Sequence, residues 1–123
     1  MDSDDQIEQQ IQAHYEKFQQ DRLNPKHSLA IADLYEQRKE YANAVPWIQC
    51  AFEQGGSVDH ALEDRILDLQ IFALKQELTG LQGHEGAVLK YEPESLPELK
   101  AAVDKKLGEL NKLLKVRKQR GER

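Results

Sequence analysis

Apolar residues recur at helical spacing over most of the chain, beginning near the N-terminus. The first stripe consists of Ile7, Ile11, Tyr15 and Phe18, separated mainly by Gln and Glu. This spacing places the four side chains on one face of an otherwise polar helix. Ser3 and Gln6 fit a capping box at its start, and Pro25 excludes a helix that continues past it. The pattern predicts a leading helix over residues 3–23.

Two shorter helices are predicted next, over about residues 27–38 and 40–54, with a tight charged turn between them. Their inward positions are Leu29, Ala32 and Tyr35 in the first and Tyr41, Ala44, Ile48, Ala51 and Phe52 in the second. Gly55 and Gly56 are expected to supply the left-handed residues that end the second helix. Pro46 lies inside that helix and removes one backbone hydrogen bond, so we expect a shortened or bent first turn.

A fourth helix is predicted over residues 57–79, capped by Ser57 or Asp59. It carries two apolar stripes, with Leu62, Ile66, Leu69 and Ala73 on one and Leu67, Ile71, Leu74 and Leu78 on the other. An apolar arc this wide requires packing partners on two sides. We therefore expect this helix to be central and to connect the preceding helices with the C-terminal part of the chain.

Three glycines interrupt the apolar pattern after the fourth helix, at Gly80, Gly83 and Gly86. They predict a flexible loop, with either a short helix or an extended piece over residues 87–91. The glycine spacing superficially resembles a phosphate-binding loop, but the Gly-Lys-Ser/Thr ending is missing and no credible strand precedes it. A linker is the better interpretation.

A long C-terminal helix is predicted over residues 95–120, because Ser95, Pro97 and Glu98 combine a capping box with an early proline. Its apolar face consists of Leu96, Leu99, Val103, Leu107, Leu110 and Leu114, and Lys100, Lys105, Lys112 and Lys115 form the outer face. The spacing near seven fits a coiled coil, but Lys106 interrupts one seam position and three heptads are few. Packing on the fourth helix as a cap is favoured.

Length and composition limit the class of protein. The 123 residues fit one domain, 1–123, with an all-α fold of about five helices. At 39% hydrophobic and 32% charged residues the chain is polar, yet its regular Leu, Ile and Ala spacing excludes disorder. The lone Cys50 cannot form an internal disulfide, which favours a reducing compartment. No leader sequence or long apolar run is visible, so we expect a cytoplasmic protein, or a soluble piece of a longer one, without a membrane span.

The net charge of -5 conceals an uneven distribution along the chain. Residues 1–99 contain 8 Lys or Arg and 19 Asp or Glu, whereas residues 100–123 contain 9 and 3. A basic end of this kind can bind an acidic partner, but it also matches the preference for cations at a helix C-terminus. The charge pattern alone does not decide between these explanations.

Residues suited to catalysis or metal binding are few. His60, Glu63 and Asp64 fall on neighbouring faces of one helical turn, where they could hold a divalent metal ion. Surface positions are the simpler explanation for them. The other histidines are His14, His27 and His84, and none belongs to a recognisable metal or nucleophile motif. We therefore expect neither an enzyme nor a bound cofactor.

Residues 25–58 resemble a tetratricopeptide repeat (TPR). The positions that match the family's pattern are Ile31, Ala32, Tyr35, Tyr41, Ala44, Ile48 and Ala51. Small residues among them let the two helix axes approach closely. Ser28 replaces the usual large residue, Lys39 replaces the usual turn glycine, and the closing proline is missing. The resemblance implies TPR-like antiparallel helix pairs, closed by the long C-terminal helix, and a protein-binding function.

Within the family, residues 29–47 are similar to kinesin-light-chain-type repeats, which often read LA-x-LY followed by Y-x-x-A-x-P. Short bacterial proteins of this type accompany bacterial tubulins, so the resemblance implies a tubulin-like filament as a candidate partner. By position, the family's binding groove corresponds to Lys26, Asp33, Glu36 and Gln37. Trp47 fits either a recognition surface, because Trp anchors many interfaces, or packing between the repeat helices.

Two functions from different classes are therefore expected alternatives. The first is a protein-binding scaffold whose rigid helices hold a partner. The second is an electrostatic adaptor that binds nucleic acid or another polyanion. Its basic patch would consist of Lys112, Lys115, Arg117, Lys118, Arg120 and Arg123. The overall acidity of the chain and the absence of aromatic residues among these cations favour the scaffold.

Overall fold

The computed structural model describes residues 3–121, with side chains from residue 4 onward, and this part of the chain is helical. The helices are α1 (Ser3–Gln20), α2 (Pro25–Gln37), α3 (Tyr41–Gln54), α4 (His60–Gly83), α5 (Glu85–Tyr91) and α6 (Leu96–Gly121), with a 3-10 turn at Pro93–Ser95. No strand occurs within residues 3–121. The predicted all-α fold with a long C-terminal helix is confirmed. The predicted cap by the Ser3 side chain and the contribution of Arg123 lie outside the described part.

The chain divides into two compact units, an N-terminal unit (Met1–Gln70) and a C-terminal unit (Ile71–Arg123), with the boundary inside α4. Each unit is described by itself below. A single domain over residues 1–123 stays a prediction. No helix within residues 3–121 has both the length and the apolar composition that crossing a membrane requires.

Two buried clusters hold the N-terminal unit together. One joins α2, α3 and α4 through Ala32, Ala44, Ile48 and Leu69, each at most 1% exposed. The other joins α1 and α2 through Ile11, Ile31 and Leu34. The methyl side chains of Ala32 and Ala44 let α2 and α3 approach closely. Ser28 in the first turn of α2 donates to Gln54 Oε1 at the end of α3 at 3.0 Å, so these two helices run antiparallel.

The turn between α2 and α3 is a Schellman motif formed without glycine. Lys39 has a φ of 60°, and its N–H donates to the Glu36 carbonyl at 2.9 Å. The Glu40 N–H donates to the Tyr35 carbonyl, also at 2.9 Å. These bonds satisfy two carbonyls that the end of α2 leaves open. Lys39 therefore occupies the left-handed position at which the resembled repeat uses glycine.

The boundary between α1 and α2 differs from the prediction. α1 ends at Gln20 and not at residue 23, and α2 begins at Pro25. Asn24 caps α2, since its Oδ1 accepts from the Lys26 N–H at 3.0 Å. Pro25 suits the first helical position, because its fixed φ is helical and its missing N–H would have no intrahelical partner there. The proline that was predicted to end one helix instead starts the next.

Pro46 does not delay the start of α3, which begins at Tyr41. The expected shortening is therefore wrong. The missing proline N–H leaves only the carbonyl of Ala42 without its intrahelical bond. Ala42 is exposed and lies in the first turn, where water can reach that carbonyl, so the helix tolerates the loss.

The turn after α3 also differs in detail. Gly56 and Ser57 are the left-handed residues, with φ of 84° and 60°, whereas Gly55 has a φ of −87°. The prediction is wrong for Gly55 because the helix cap still has near-helical geometry, and only the residue after it turns. α4 then begins after Asp59, whose Oδ1 accepts from the Ala61 N–H at 2.9 Å. Asp59 is thus the cap of α4, and Ser57 belongs to the preceding turn.

The predicted flexible loop after residue 79 is wrong. α4 continues through Gly80 to Gly83, and α5 begins at Glu85. A glycine inside a helix costs about 1 kcal/mol relative to alanine. Leu78 is buried and Leu81 half-buried, and their packing offsets that cost. Residues 87–91, for which either a short helix or an extended piece was predicted, form part of the helix α5.

The C-terminal unit is held by apolar contacts and by an ion pair between α4 and α6. Its buried apolar side chains are Ile71, Leu78, Val103 and Leu110. Lys106 Nζ lies 2.7 Å from Glu77 Oε2, so the lysine that interrupts the apolar seam is half-buried and paired. This pair connects α6 with α4, as expected of a last helix that packs as a cap.

Replacing Gly80 by alanine is expected to stabilise the protein by about 1 kcal/mol. Gly80 lies inside α4, and no atom lies within 4 Å of an added Cβ. Alanine therefore reduces the conformational freedom of the unfolded chain without creating a clash. The midpoint of urea unfolding measures the change.

Gly56→Ala is the matched control for this substitution. Space around Gly56 is open as well, but its φ of 84° disfavours any residue with a Cβ. We expect Gly56→Ala to lower the free energy of unfolding by about 1 kcal/mol. A Gly80→Ala protein no more stable than the wild type would contradict a continuous α4.

Candidate functional site

Four polar residues lie along one side of α2, which we call the α2 face. They are Lys26, Asp33, Glu36 and Gln37, the positions that the repeat resemblance assigned to a groove. All are exposed except Glu36, which is half-buried. At a helical rise of 1.5 Å per residue the α2 face is roughly 16 Å long. That length suits an extended peptide segment or one side of another helix.

Arg65 from α4 is bound to two members of the α2 face. Its Nη2 donates to Asp33 Oδ1 and, at 2.7 Å, to Glu36 Oε2. Burial by itself would lower the pKa of Arg65, but the hydrogen bonds to these carboxylates outweigh burial and raise the pKa. A planar guanidinium that bonds two acids fixes both of their positions. The surface is therefore mixed in charge and held in place from a second helix.

Sequence reasoning missed Arg65 because this residue lies outside the stretch 25–58 that resembles a repeat. The available signal was the pair of acids itself. Asp33 and Glu36 are neighbours on one helix, and Asp33 lies between the buried residues Ala32 and Leu34. Two neighbouring carboxylates beside a buried stripe favour a cation from an adjacent helix.

Trp47 lies in an aromatic cluster with two residues of α1. Its ring centroid is 5.1 Å from that of Phe18 and 6.0 Å from that of Tyr15, and both contacts are edge-to-face. Such pairs stabilise by about 0.5–1.5 kcal/mol beyond their burial. The guanidinium of Arg22 lies 5.4 Å from the Phe18 centroid. Of the two interpretations of Trp47, this geometry favours packing, with α1 as the packed helix.

The residues of the predicted basic patch lie on different sides of α6 and differ in exposure. Lys112, Lys115 and Lys118 are exposed, whereas Arg117 and Arg120 are half-buried. The three lysines follow one another at intervals of three residues and so form a strip that winds slowly around α6. Only this strip is fully presented to a partner.

The candidate metal ligands do not form a binding set. His60 is exposed at the start of α4, and Glu63 and Asp64 are half-buried. Within residues 3–121, no group of three His, Cys, Asp or Glu side chains is arranged to hold a metal ion. The exposed position of His60 agrees with its interpretation as a surface residue.

His14 is a histidine of α1 whose surroundings disfavour its charged form. It is half-buried, and its Nδ1 has no hydrogen-bond partner among the described residues. Burial, followed by the positive charges of Lys17, His27 and Lys26, lowers the pKa of His14 below the ordinary 6.5. Because Lys26 and His27 belong to α2, protonation of His14 opposes the docking of α1 on α2.

No protein-family model, curated protein or solved structure matches this chain. Its function has to be inferred from the surfaces just described. The α2 face and the basic strip of α6 are the two surfaces of polar and charged side chains on which the predicted functions depend.

The protein is expected to lose stability as the pH falls through about 6.5. The unfolded chain binds a proton at His14 near pH 6.5, whereas the folded chain binds it only at a lower pH, because its pKa is lowered. Over that interval the unfolded state holds more protons and is favoured. His14→Gln should therefore lose less stability than the wild type between about pH 7.5 and 5.5, measured by urea unfolding.

His84→Gln provides the control for the pH experiment. His84 is exposed and lies between α4 and α5 in the C-terminal unit. We expect its removal to leave the pH dependence of the wild type unchanged. Equal pH dependence in the wild type and His14→Gln would show that the surroundings of this half-buried imidazole do not oppose its protonation.

Proposed function

We propose that this chain is a non-catalytic, protein-binding scaffold of the TPR type that acts in the cytoplasm. The observation that carries the proposal is the α2–α3 helix pair. Ala32, Ala44 and Ala51 are fully buried, and Lys39 turns the chain in a left-handed conformation. An antiparallel pair with small buried residues and a tight turn is what a tetratricopeptide unit requires.

The α2 face supports binding through a preorganised surface. Asp33 and Glu36 are held by Arg65, and Lys26 and Gln37 remain exposed at the two ends. Side chains fixed before binding lose little conformational entropy when a partner arrives. A partner with both acidic and basic groups, such as a polar peptide or a charged protein surface, would complement this face.

The finer part of the proposal is the subtype and the partner. The similarity of residues 29–47 to kinesin-light-chain-type repeats supports a tubulin-like filament as the partner. Trp47 is a poor choice for testing that contact. It packs against Tyr15 and Phe18, so Trp47→Ala would destabilise α1 whether or not a filament binds there.

Co-sedimentation with polymerised tubulin-like protein tests this proposal. The wild type is expected to pellet with the filament, and a Lys26→Glu, Gln37→Glu double variant should bind about tenfold more weakly, because charges of the wrong sign disturb the α2 face. Gln49→Glu serves as the control, since Gln49 is an exposed residue of α3. It should bind as the wild type does.

Two results would contradict the proposal at different levels. Wild-type protein that stays in the supernatant at every filament concentration would rule out this partner. Equal binding by the wild type and the double variant would rule out the α2 face as the contact. Far-UV circular dichroism of each variant shows whether the helices are intact.

A second candidate function rests on the basic strip of α6. No acidic residue occurs between Leu110 and Gly121, and Lys112, Lys115 and Lys118 are exposed. Such a strip could neutralise phosphates of a nucleic acid. If it does, the logarithm of the affinity should fall linearly with the logarithm of the salt concentration, and replacing the three lysines by glutamine should flatten that slope by about three units. Undetectable binding to nucleic acid at low salt would eliminate this function.

A further inference from the structure

α5 presents an unusual amount of apolar surface. Leu89 is 61% exposed and Tyr91 is 73% exposed, and this helix has no buried residue. An open cavity of about 290 Å³ runs along one side of the helix, which we call the α5 groove. It is lined by His84, Ala87, Val88, Tyr91 and Glu92. Tyr91 lines the groove, whereas Leu89 lies on another side of α5. An exposed apolar residue in a groove is typical of an interaction surface.

Acidic residues follow α5 along the chain up to the first turn of α6, and the first of them, Glu92, lines the α5 groove. Glu92, Glu94 and Glu98 are exposed, and we call these three residues the acidic end. None of them makes an ion pair among the described residues. The only lysine of α5, Lys90, has its Nζ 5.2 Å from the Tyr91 ring centroid. An occupant of the groove should therefore be apolar and basic.

The other end of α6 has that composition. Leu114 is 40% exposed and Val116 is 38% exposed. Beside them lie the exposed lysines of the basic strip, Lys112, Lys115 and Lys118. No ion pair involves these lysines within residues 3–121. An acidic, apolar region thus lies before and at the start of α6, and a basic, apolar region lies at its end.

The two ends cannot neutralise each other within one chain. Glu98 and Lys112 are separated by about 21 Å along α6, and Glu94 and Lys118 by more than about 30 Å. At physiological salt, charges farther apart than about 8 Å are largely screened when they are exposed. Each end is therefore left to find its complement in another molecule.

We propose that the C-terminal unit binds a second copy of this chain in an antiparallel, two-fold dimer. The basic end of one α6, with Lys112, Lys115 and Val116 on one side of the helix, enters the α5 groove of the other copy and faces its acidic end. The two-fold axis then repeats the same contact at the other end of the pair. Both grooves and both basic ends are occupied, so the assembly stops at two copies. A parallel dimer would instead bring lysine strip against lysine strip.

Charge and apolar contact have different tasks in this dimer. Exposed ion pairs contribute little free energy, but they favour the antiparallel orientation and speed encounter. The affinity comes from covering Val88 and Tyr91 of the α5 groove with Val116. Because little apolar surface is covered, we expect a weak, salt-sensitive dimer. This inference does not depend on the scaffold function.

Sedimentation equilibrium of the full chain over micromolar concentrations tests the proposal. At low salt the apparent mass should rise with concentration from 14.2 kDa to twice that value, and high salt should shift the transition to higher concentration. Protein that stays monomeric over the whole range at low salt would overturn the dimer.

Charge exchange tests the antiparallel arrangement. Lys115→Glu, Lys118→Glu changes the basic end, and Glu92→Lys, Glu94→Lys changes the acidic end. Each double variant alone should remain monomeric, because like charges meet at both contacts. An equimolar mixture of the two should dimerise again, since an acidic strip then faces a basic groove and the unaltered pair also meets. A single chain carrying all four changes should dimerise as well.

Lys26→Glu is the control for these charge changes. It reverses an exposed charge on α2 and should leave the self-association of the wild type unchanged. Dimers that persist in each double variant, or monomers that persist in the mixture, would overturn the antiparallel contact. Filament binding without dimerisation would contradict the dimer but not the scaffold function. Dimerisation without filament binding would contradict the filament as partner but not the dimer.

Discussion

Close contact between α2 and α3 determines the arrangement of the N-terminal unit. Ala32 and Ala44 meet where the two helices cross, and both are fully buried together with Ile48. Methyl side chains at a crossing let the backbones approach more closely than larger residues would. A larger side chain at either alanine would separate the helices and disturb their neighbours, because interiors packed this densely have no room to absorb extra volume.

α2 is the helix on which the other elements of the N-terminal unit depend. Ile31 and Leu34 face α1, Ala32 faces α3, and Asp33 and Glu36 face Arg65 of α4. Arg38, which follows α2, also pairs with Glu8 of α1 at 2.6 Å. Only a narrow strip of α2 is left for a partner. The same contacts that limit this strip also fix its side chains, which is why a small surface can still be selective.

Local signals in the sequence predicted the positions of the helices well, but they did not predict the contacts between helices. Apolar periodicity located α2, α3 and α6 to within two residues, because these helices bury a continuous stripe. It failed at Gly80, where glycine was taken as a break although Leu78 and Leu81 keep packing on the same helix. Arg65 of the candidate site could not be assigned, since pairing with α2 depends on how α4 lies, which no local pattern encodes. Lys39 shows the same limit, because tertiary packing can impose a left-handed residue without glycine.

Trp47 is the only tryptophan in the chain, and its place between α1 and α3 has a spectroscopic consequence. Its indole is surrounded by Tyr15 and Phe18, so its fluorescence depends on whether α1 is docked. The C-terminal unit contains no tryptophan. Emission therefore follows the N-terminal unit alone, whereas far-UV circular dichroism follows the helices of both. Comparing the two signals during unfolding distinguishes one cooperative protein from two units that melt separately.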